Sequence, residues 1–236
     1  MYSKKTLVIG LTGNIACGKS LAAKYFKKNK IAVLDADQIA HRLIQKPGEF
    51  AGACTAGMRA GGASDNARCV GDKVGRKSDT IQGLAYKKVI QAFGKEILDS
   101  EKNIVRSKLG KIVFKDPKKR KILEGILHPL IQKSSKKIIQ KYQAQGHFLV
   151  VYEASLLIEA GSYKNFDGIL LITSNRKLQL KRLLERSPAL SKTQALRVLS
   201  AQMPQKEKRQ YATWEIDNNS SLKKFQAKLV KWLKQF

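Results

Sequence analysis

Residues Gly13-Asn14-Ile15-Ala16-Cys17-Gly18-Lys19-Ser20 constrain this chain more than any other stretch. They fit the pattern Gly-x-x-x-x-Gly-Lys-Ser/Thr of a phosphate-binding loop. The flanks agree. Leu7-Val8-Ile9-Gly10-Leu11-Thr12 is a short apolar run that reads as a buried strand. Residues 21–28 hold good helix formers, with apolar positions at Ala22, Tyr25 and Phe26. Gly13 and Gly18 let the backbone turn its N–H groups inward without a Cβ in the way. Those donors, with the positive end of the following helix, suit a chain of phosphates. Lys19 would place a charge between the outer phosphates, and Ser20 would offer a hydroxyl to Mg2+. The expected nucleotide contacts are Gly13, Asn14, Ile15, Ala16, Cys17, Gly18, Lys19, Ser20 and Leu21, with ATP and Mg2+ bound together. The alternative, a glycine-rich turn matching by chance, does not account for strand, loop and helix falling in register.

Further strands are expected at 31–34, 148–152, 168–172 and 214–216, separated by helical patterns. Strands alternating with helices mean an α/β fold with a parallel sheet covered on both faces. Asp116-Pro117 reads as a helix start, and His128-Pro129 as a break in that helix. Ser221 reads as the cap of a closing amphipathic helix. Residues 51–84 are small and polar with little apolar periodicity, and read as a mobile surface loop.

The second expected strand ends in Asp35-Ala36-Asp37. In open α/β sheets ligands sit beyond the carboxyl ends of strands, so these acids are expected to face the phosphate loop. A carboxylate there can take a proton from an attacking hydroxyl or hold Mg2+ through water, which makes Asp37 the candidate base with Asp35 in support. The other reading is that Asp37 only caps the next helix. Late in the chain, Arg182 and Arg186 lie one turn apart on a basic helix that could close over phosphates; their planar forks suit that task. The other reading for this pair is an exposed face near Glu185. Cys17 reads as a small space-filler, against the alternative of a redox-sensitive thiol at a helix N-terminus.

Length and composition bound these readings. A chain of 236 residues allows one α/β domain with insertions. No apolar run approaches membrane-spanning length, and the first strand follows Met1 so closely that no signal peptide is expected, so the cytoplasm is the expected location. Three cysteines do not make a disulfide framework. The 46 Lys and Arg against 18 Asp and Glu give a net charge of +28. Such an excess favours anionic partners. Because the lysines are spread over most expected helices, they read as solvated faces; no nucleic acid and no membrane is expected as partner, and the chain is expected to be a monomer or weak oligomer.

Together the segments suggest phosphoryl transfer to a small acceptor. At this point the sequence resembles the bacterial dephospho-coenzyme A kinases. The resemblance rests on residues 11–20, then Val33-Leu34-Asp35-Ala36-Asp37, Lys46-Pro47-Gly48 and Leu127-His128-Pro129-Leu130-Ile131. It continues through Leu156-Leu157-Ile158-Glu159-Ala160-Gly161, Gln179-Leu180-Lys181-Arg182-Leu183, Ala201-Gln202-Met203 and Ile216-Asp217-Asn218-Asn219. The resemblance implies transfer of the ATP γ-phosphate to the ribose 3′-hydroxyl of dephospho-coenzyme A, the last step of coenzyme A synthesis. It implies a P-loop kinase architecture: a nucleotide core near 4–46, 147–176 and 212–236, a helical substrate region at 85–146 and a helical lid at 177–211. It makes Asp37 the expected base, His128 a candidate substrate contact, and Glu159 part of the acceptor side.

The chain also departs from the family pattern. Ala16-Cys17-Gly18-Lys19-Ser20-Leu21 stands where the family usually has Gly-Ser-Gly-Lys-Ser-Thr, which should change loop flexibility and remove one hydroxyl. Ser155 stands for a proline, Ser187 for an aspartate, and residues 51–84 form an insertion. A kinase with another hydroxyl acceptor and a nucleic-acid-stimulated ATPase are the competing readings. Against the second, no basic stripe is interleaved with aromatics.

Overall fold

In a computed structural model, residues 6–47 and 81–236 are described. The sequence-based loop at 51–84 therefore lies mostly outside the described residues. Contacts divide the chain into two units, residues 1–37 with 135–236, and residues 38–134.

The first unit is built on a five-stranded parallel sheet of order β2-β3-β1-β4-β5, with β1 Leu7–Thr12, β2 Ala32–Asp35, β3 Leu149–Glu153, β4 Gly168–Thr173 and β5 Trp214–Asp217. Every residue of β3 and β4 is buried, as befits inner strands covered on both faces. Helices α1 (Lys19–Lys28) and α9 (Leu222–Leu233) supply Phe26, Phe225, Leu229 and Trp232 to a core with Ile9, Leu11, Leu149, Val151, Leu170 and Ile172. The Phe26 and Trp232 rings lie 5.3 Å apart between centroids. The Ser221 hydroxyl accepts from the Lys224 N–H and starts α9, as its cap chemistry predicts.

After β4 come α6 (Arg176–Arg186) and α7 (Lys192–Ser200). Asn175 caps the first and a Ser191–Gln194 capping box starts the second. The two helices bury Leu183, Ala195 and Leu199 against each other. A short helix, α8 (Gln205–Lys208), then leads toward β5.

The second unit is helical. Its core holds Ile44, Val89, Phe93, Ile97, Ile104 and Leu109. Its elements include most of α2 (Ala36–Leu43), α3 (Ile81–Phe93), α4 (Arg106–Lys115) and the first part of α5 (Pro117–Ala144). Asp116 caps α5 by accepting from the Lys118 N–H at 2.8 Å.

Two expectations are corrected here. Residues 81–84 are helical, not irregular: Gly83 weakens local propensity, yet it is buried in α3, as are Ala85, Val89 and Phe93, and packing overrides propensity. The helix that starts at Pro117 runs through His128-Pro129 without a break. Proline at 129 forfeits one hydrogen bond and crowds the carbonyl four residues back. That residue, Gly125, is exposed, so the carbonyl freed by the proline can turn to water.

Candidate active site

The phosphate loop occupies the turn between β1 and α1. Gly13 and Gly18 are required there by close approach. A Cβ on Gly13 would stand 2.4 Å from the Ile172 carbonyl oxygen, and one on Gly18 2.2 Å from Asn218 Nδ2. Gly18 also has φ +101°, a conformation that favours glycine. Ala16 adopts a left-handed φ of 59° with its Cβ present. Cys17 is fully buried, and burial pushes its thiol up to about 11, with the Lys19 and Lys208 cations among the opposing influences. It fills space under the loop and is no reactive thiolate.

At the carboxyl end of β3 stands Glu153, which is buried. One of its oxygens accepts from Lys19 Nζ at 2.9 Å and from Ser20 Oγ at 3.1 Å. The two loop side chains that suit phosphate and Mg2+ therefore meet on one carboxylate. Asp35, at the end of β2, is the register partner of Glu153. Asp37 is exposed in the first turn of α2, and Ser155 Oγ donates to its Oδ2 at 3.3 Å. The buried Tyr152 phenol is raised above its ordinary value by burial, with Asp37 and Asp35 adding to the rise and a Ser135 hydrogen bond opposing it. Both aspartates are thus close to the end of β3, the same strand end that carries Glu153.

The region after β4 grips the phosphate loop from its other side. Gln202 Oε1 accepts from the Ile15 N–H at 2.7 Å, and Gln179 Nε2 donates to the Ile15 carbonyl at 3.0 Å. Asn14 Nδ2 donates to the Met203 carbonyl at 3.0 Å. Arg182 donates to the Ala16 carbonyl at 3.5 Å, to Ser174 Oγ at 3.2 Å and to the Asn218 carbonyl at 2.9 Å, while Asn218 Nδ2 donates to the Cys17 carbonyl at 2.9 Å. Arg182 accordingly sits at the loop, whereas Arg186 is exposed in the last turn of α6. Leu21 is exposed on α1. Glu159 is held by the fully buried Lys208, 2.7 Å away. His128 is exposed on α5, within the helical unit.

Sequence reasoning missed Glu153, Gln179, Gln202 and Asn218. Glu153 had a usable signal, an acid closing an apolar strand at the carboxyl edge of the sheet. The three amides lie within segments that carry the family resemblance, but no role was assigned to them, because their partners are backbone groups far away in the chain.

The oxygen donors fit a hard divalent cation. Ser20 Oγ and a Glu153 oxygen are in contact, and Mg2+ is commonly held by one or two carboxylates plus substrate phosphates. Among the described residues no group of three or more His, Cys, Asp or Glu could form an all-protein cage. Also among them, no helix is long and apolar enough to cross a membrane.

Comparison with known proteins agrees with this geometry. The family model described as dephospho-CoA kinase matches residues 7–54 and 66–224, so that 55–65 alone interrupts the match. Dephospho-CoA kinase of Lactobacillus johnsonii is 34% identical over 98% of this chain and 98% of its own length. That of Aquifex aeolicus is 36% identical over 91% and 89%. The solved structure of dephospho-CoA kinase from Campylobacter jejuni superposes with a TM-score of 0.63 at 26% identity, covering 97% of this chain and 96% of that one. With a phosphate loop, an acid at each of two neighbouring strand ends and a match along nearly its whole length, the chain belongs to the dephospho-CoA kinase family.

Proposed function

We propose that the chain transfers the γ-phosphoryl group of ATP to the ribose 3′-hydroxyl of dephospho-coenzyme A, giving coenzyme A and ADP. The observation that carries this reading is the placement of Asp37. Its carboxylate is exposed and oriented by Ser155, two residues beyond the Glu153 that contacts Lys19 and Ser20. Asp37 accepts the proton of the attacking hydroxyl, and Asp35 supports it from the adjoining strand end. Lys19 pairs with the outer phosphates when a triphosphate fills the loop, leaving Glu153. Residues 13–21 supply the backbone donors of that cradle. Mg2+, when bound, neutralises charge on the phosphates; Ser20 and Glu153 would hold it, with Asp37 reaching it through water. Arg182, anchored on the loop, and Arg186, at the exposed end of the same helix, stabilise charge on the transferring group. His128 and Glu159 belong to the acceptor side, Glu159 through its ion pair with Lys208. The reaction uses small, water-borne substrates, which fits a cytoplasmic enzyme.

A coupled ADP-release assay with a panel of hydroxyl acceptors tests this. Turnover should require dephospho-coenzyme A. Asp37→Asn should lower kcat by roughly 10²- to 10⁴-fold, the usual worth of a general base, with the KM for ATP little changed. Unchanged turnover in that variant would remove Asp37 from the mechanism.

A further inference from the structure

Ile15, in the phosphate loop, is held at both of its backbone groups by glutamine side chains. Its N–H donates to Gln202 Oε1 at 2.7 Å, and its carbonyl accepts from Gln179 Nε2 at 3.0 Å. Gln179 is buried and is itself fixed from behind, its Oε1 accepting from Gln205 Nε2 at 3.1 Å. Gln205 in turn closes on Ser174, just after β4, donating to its carbonyl at 2.8 Å and accepting from its N–H at 3.1 Å. A backbone N–H can only donate and a backbone carbonyl can only accept, so the backbone partners fix the orientation of all three amides. Met203, beside Gln202, adds a further tie by accepting from Asn14 Nδ2 at 3.0 Å. The Ile15 side chain packs against the cluster of Leu183, Ala195 and Leu199 from α6 and α7.

The next residue explains what such a clamp is for. Successive N–H groups converge on an anion where right- and left-handed residues adjoin, and Ala16 and Gly18 are left-handed here. Glycine takes that conformation freely; alanine, with its Cβ, does not. Ala16 nevertheless sits at φ 59°. A strained residue of this kind persists only where its surroundings over-determine it. With Ile15 released, Ala16 would relax toward negative φ, and the peptide groups on either side of it would turn away from a phosphate.

We propose that Gln179 and Gln202 are positioning residues for ATP: by pinning Ile15 they hold Ala16 left-handed and keep the loop in its phosphate-binding shape. Both act through the Ile15 backbone. A cradle formed in advance binds more tightly, because the ligand has less ordering to supply. The proposal rests on ATP as the occupant of the loop and is independent of the acceptor.

The test titrates a non-hydrolysable ATP analogue with Mg2+ into the full chain by calorimetry. Gln202 is half-buried, and Gln202→Met keeps the length of the side chain while removing the acceptor. The Kd for the analogue should rise about 3- to 10-fold, the worth of one hydrogen bond between neutral groups. Gln179→Met, which removes the donor to the Ile15 carbonyl, should raise it as well. In turnover by Gln202→Met the KM for ATP should rise by the same factor and the KM for the acceptor should not move. The kcat at saturating ATP should stay within about twofold, because bound phosphates hold the cradle themselves. A lower kcat with an unmoved KM for ATP would mean a merely structural role and overturns the proposal. The Ala16→Gly chain separates the clamp from simple packing. Without the strain, Gln202→Met should raise the Kd there by about 2-fold or less. A penalty of the same size in both backgrounds overturns the clamp, as does analogue binding that Gln202→Met leaves unchanged. A wild-type chain that fails to bind the analogue overturns the reading of the loop as an ATP site instead.

Discussion

Lys19 Nζ stands 2.9 Å from Glu153 Oε1, and both side chains are nearly buried. The loop lysine is therefore held by a carboxylate that also accepts from Ser20. Removing the charge at 153 should loosen both. Glu153→Gln should raise the Mg2+ concentration needed for half-maximal activity by roughly 10- to 100-fold, as loss of a supporting ligand does elsewhere. A Mg2+ titration at fixed ATP checks this, and an unshifted curve would separate Glu153 from the metal.

Much of this site was legible in the sequence because its signals are local. The loop, the strands and the Asp35-Ala36-Asp37 run each lie within a few residues, and local pattern fixes them. Arg182 was legible as a charge on a helix, but its three acceptors were not, since Asn218 lies 36 residues away and Ala16 lies 166. The continuity of α5 was illegible for a different reason: the carbonyl that Pro129 frees belongs to the exposed Gly125, and that exposure is set by packing and not by local pattern. Glu159 was legible as part of a motif; its partner Lys208, fully buried in a four-residue helix, looked like one more surface lysine.

That partner leads to a stability prediction. Lys208 is fully buried, and its ammonium lies 2.7 Å from Glu159 Oε1. Taking away one member of a fully buried pair costs about 3–5 kcal/mol; the Glu159 carboxylate left behind keeps 21% of its side chain exposed, so that range is the upper limit here. Lys208→Met should therefore lower stability steeply. Lys208→Met combined with Glu159→Gln leaves no unpaired ion and should recover most of the loss. Urea unfolding of the three proteins measures it; a double variant no better than the single one would show that the ion pair is not the source.

Ala16 sits at φ 59°, where a Cβ is strained by about 1–2 kcal/mol. Glycine removes that strain and adds freedom to the unfolded chain worth about 0.4–1 kcal/mol in the other direction. Ala16→Gly should therefore stabilise by about 0.5–1 kcal/mol, seen as a Tm rise of about 1–4 °C for a chain of this size. Gly18→Ala should do the reverse, because its new Cβ would meet Asn218 Nδ2 at 2.2 Å. Thermal unfolding of both variants decides the matter, and a destabilised Ala16→Gly would mean that the methyl group earns more in contacts than it loses in strain.

Cys17 gives the chain an alkaline limit. Burial raises its thiol from 9.0 to about 11, so the folded protein keeps a proton that the unfolded chain gives up first. A group raised in this way contributes stability that is complete below the unfolded value and is lost as pH climbs through the folded one. The window is therefore pH 9.0 to about 11, and the loss amounts to about 3 kcal/mol at most. Cys17→Ala has no thiol to ionise, and its unfolding free energy should fall less steeply across that window. The same protonation makes the native thiol slow to alkylate with iodoacetamide at pH 8, and unfolding in urea should release it. Rapid labelling of the folded chain, or parallel pH profiles for wild type and Cys17→Ala, would place the thiol in water and not beneath the phosphate loop.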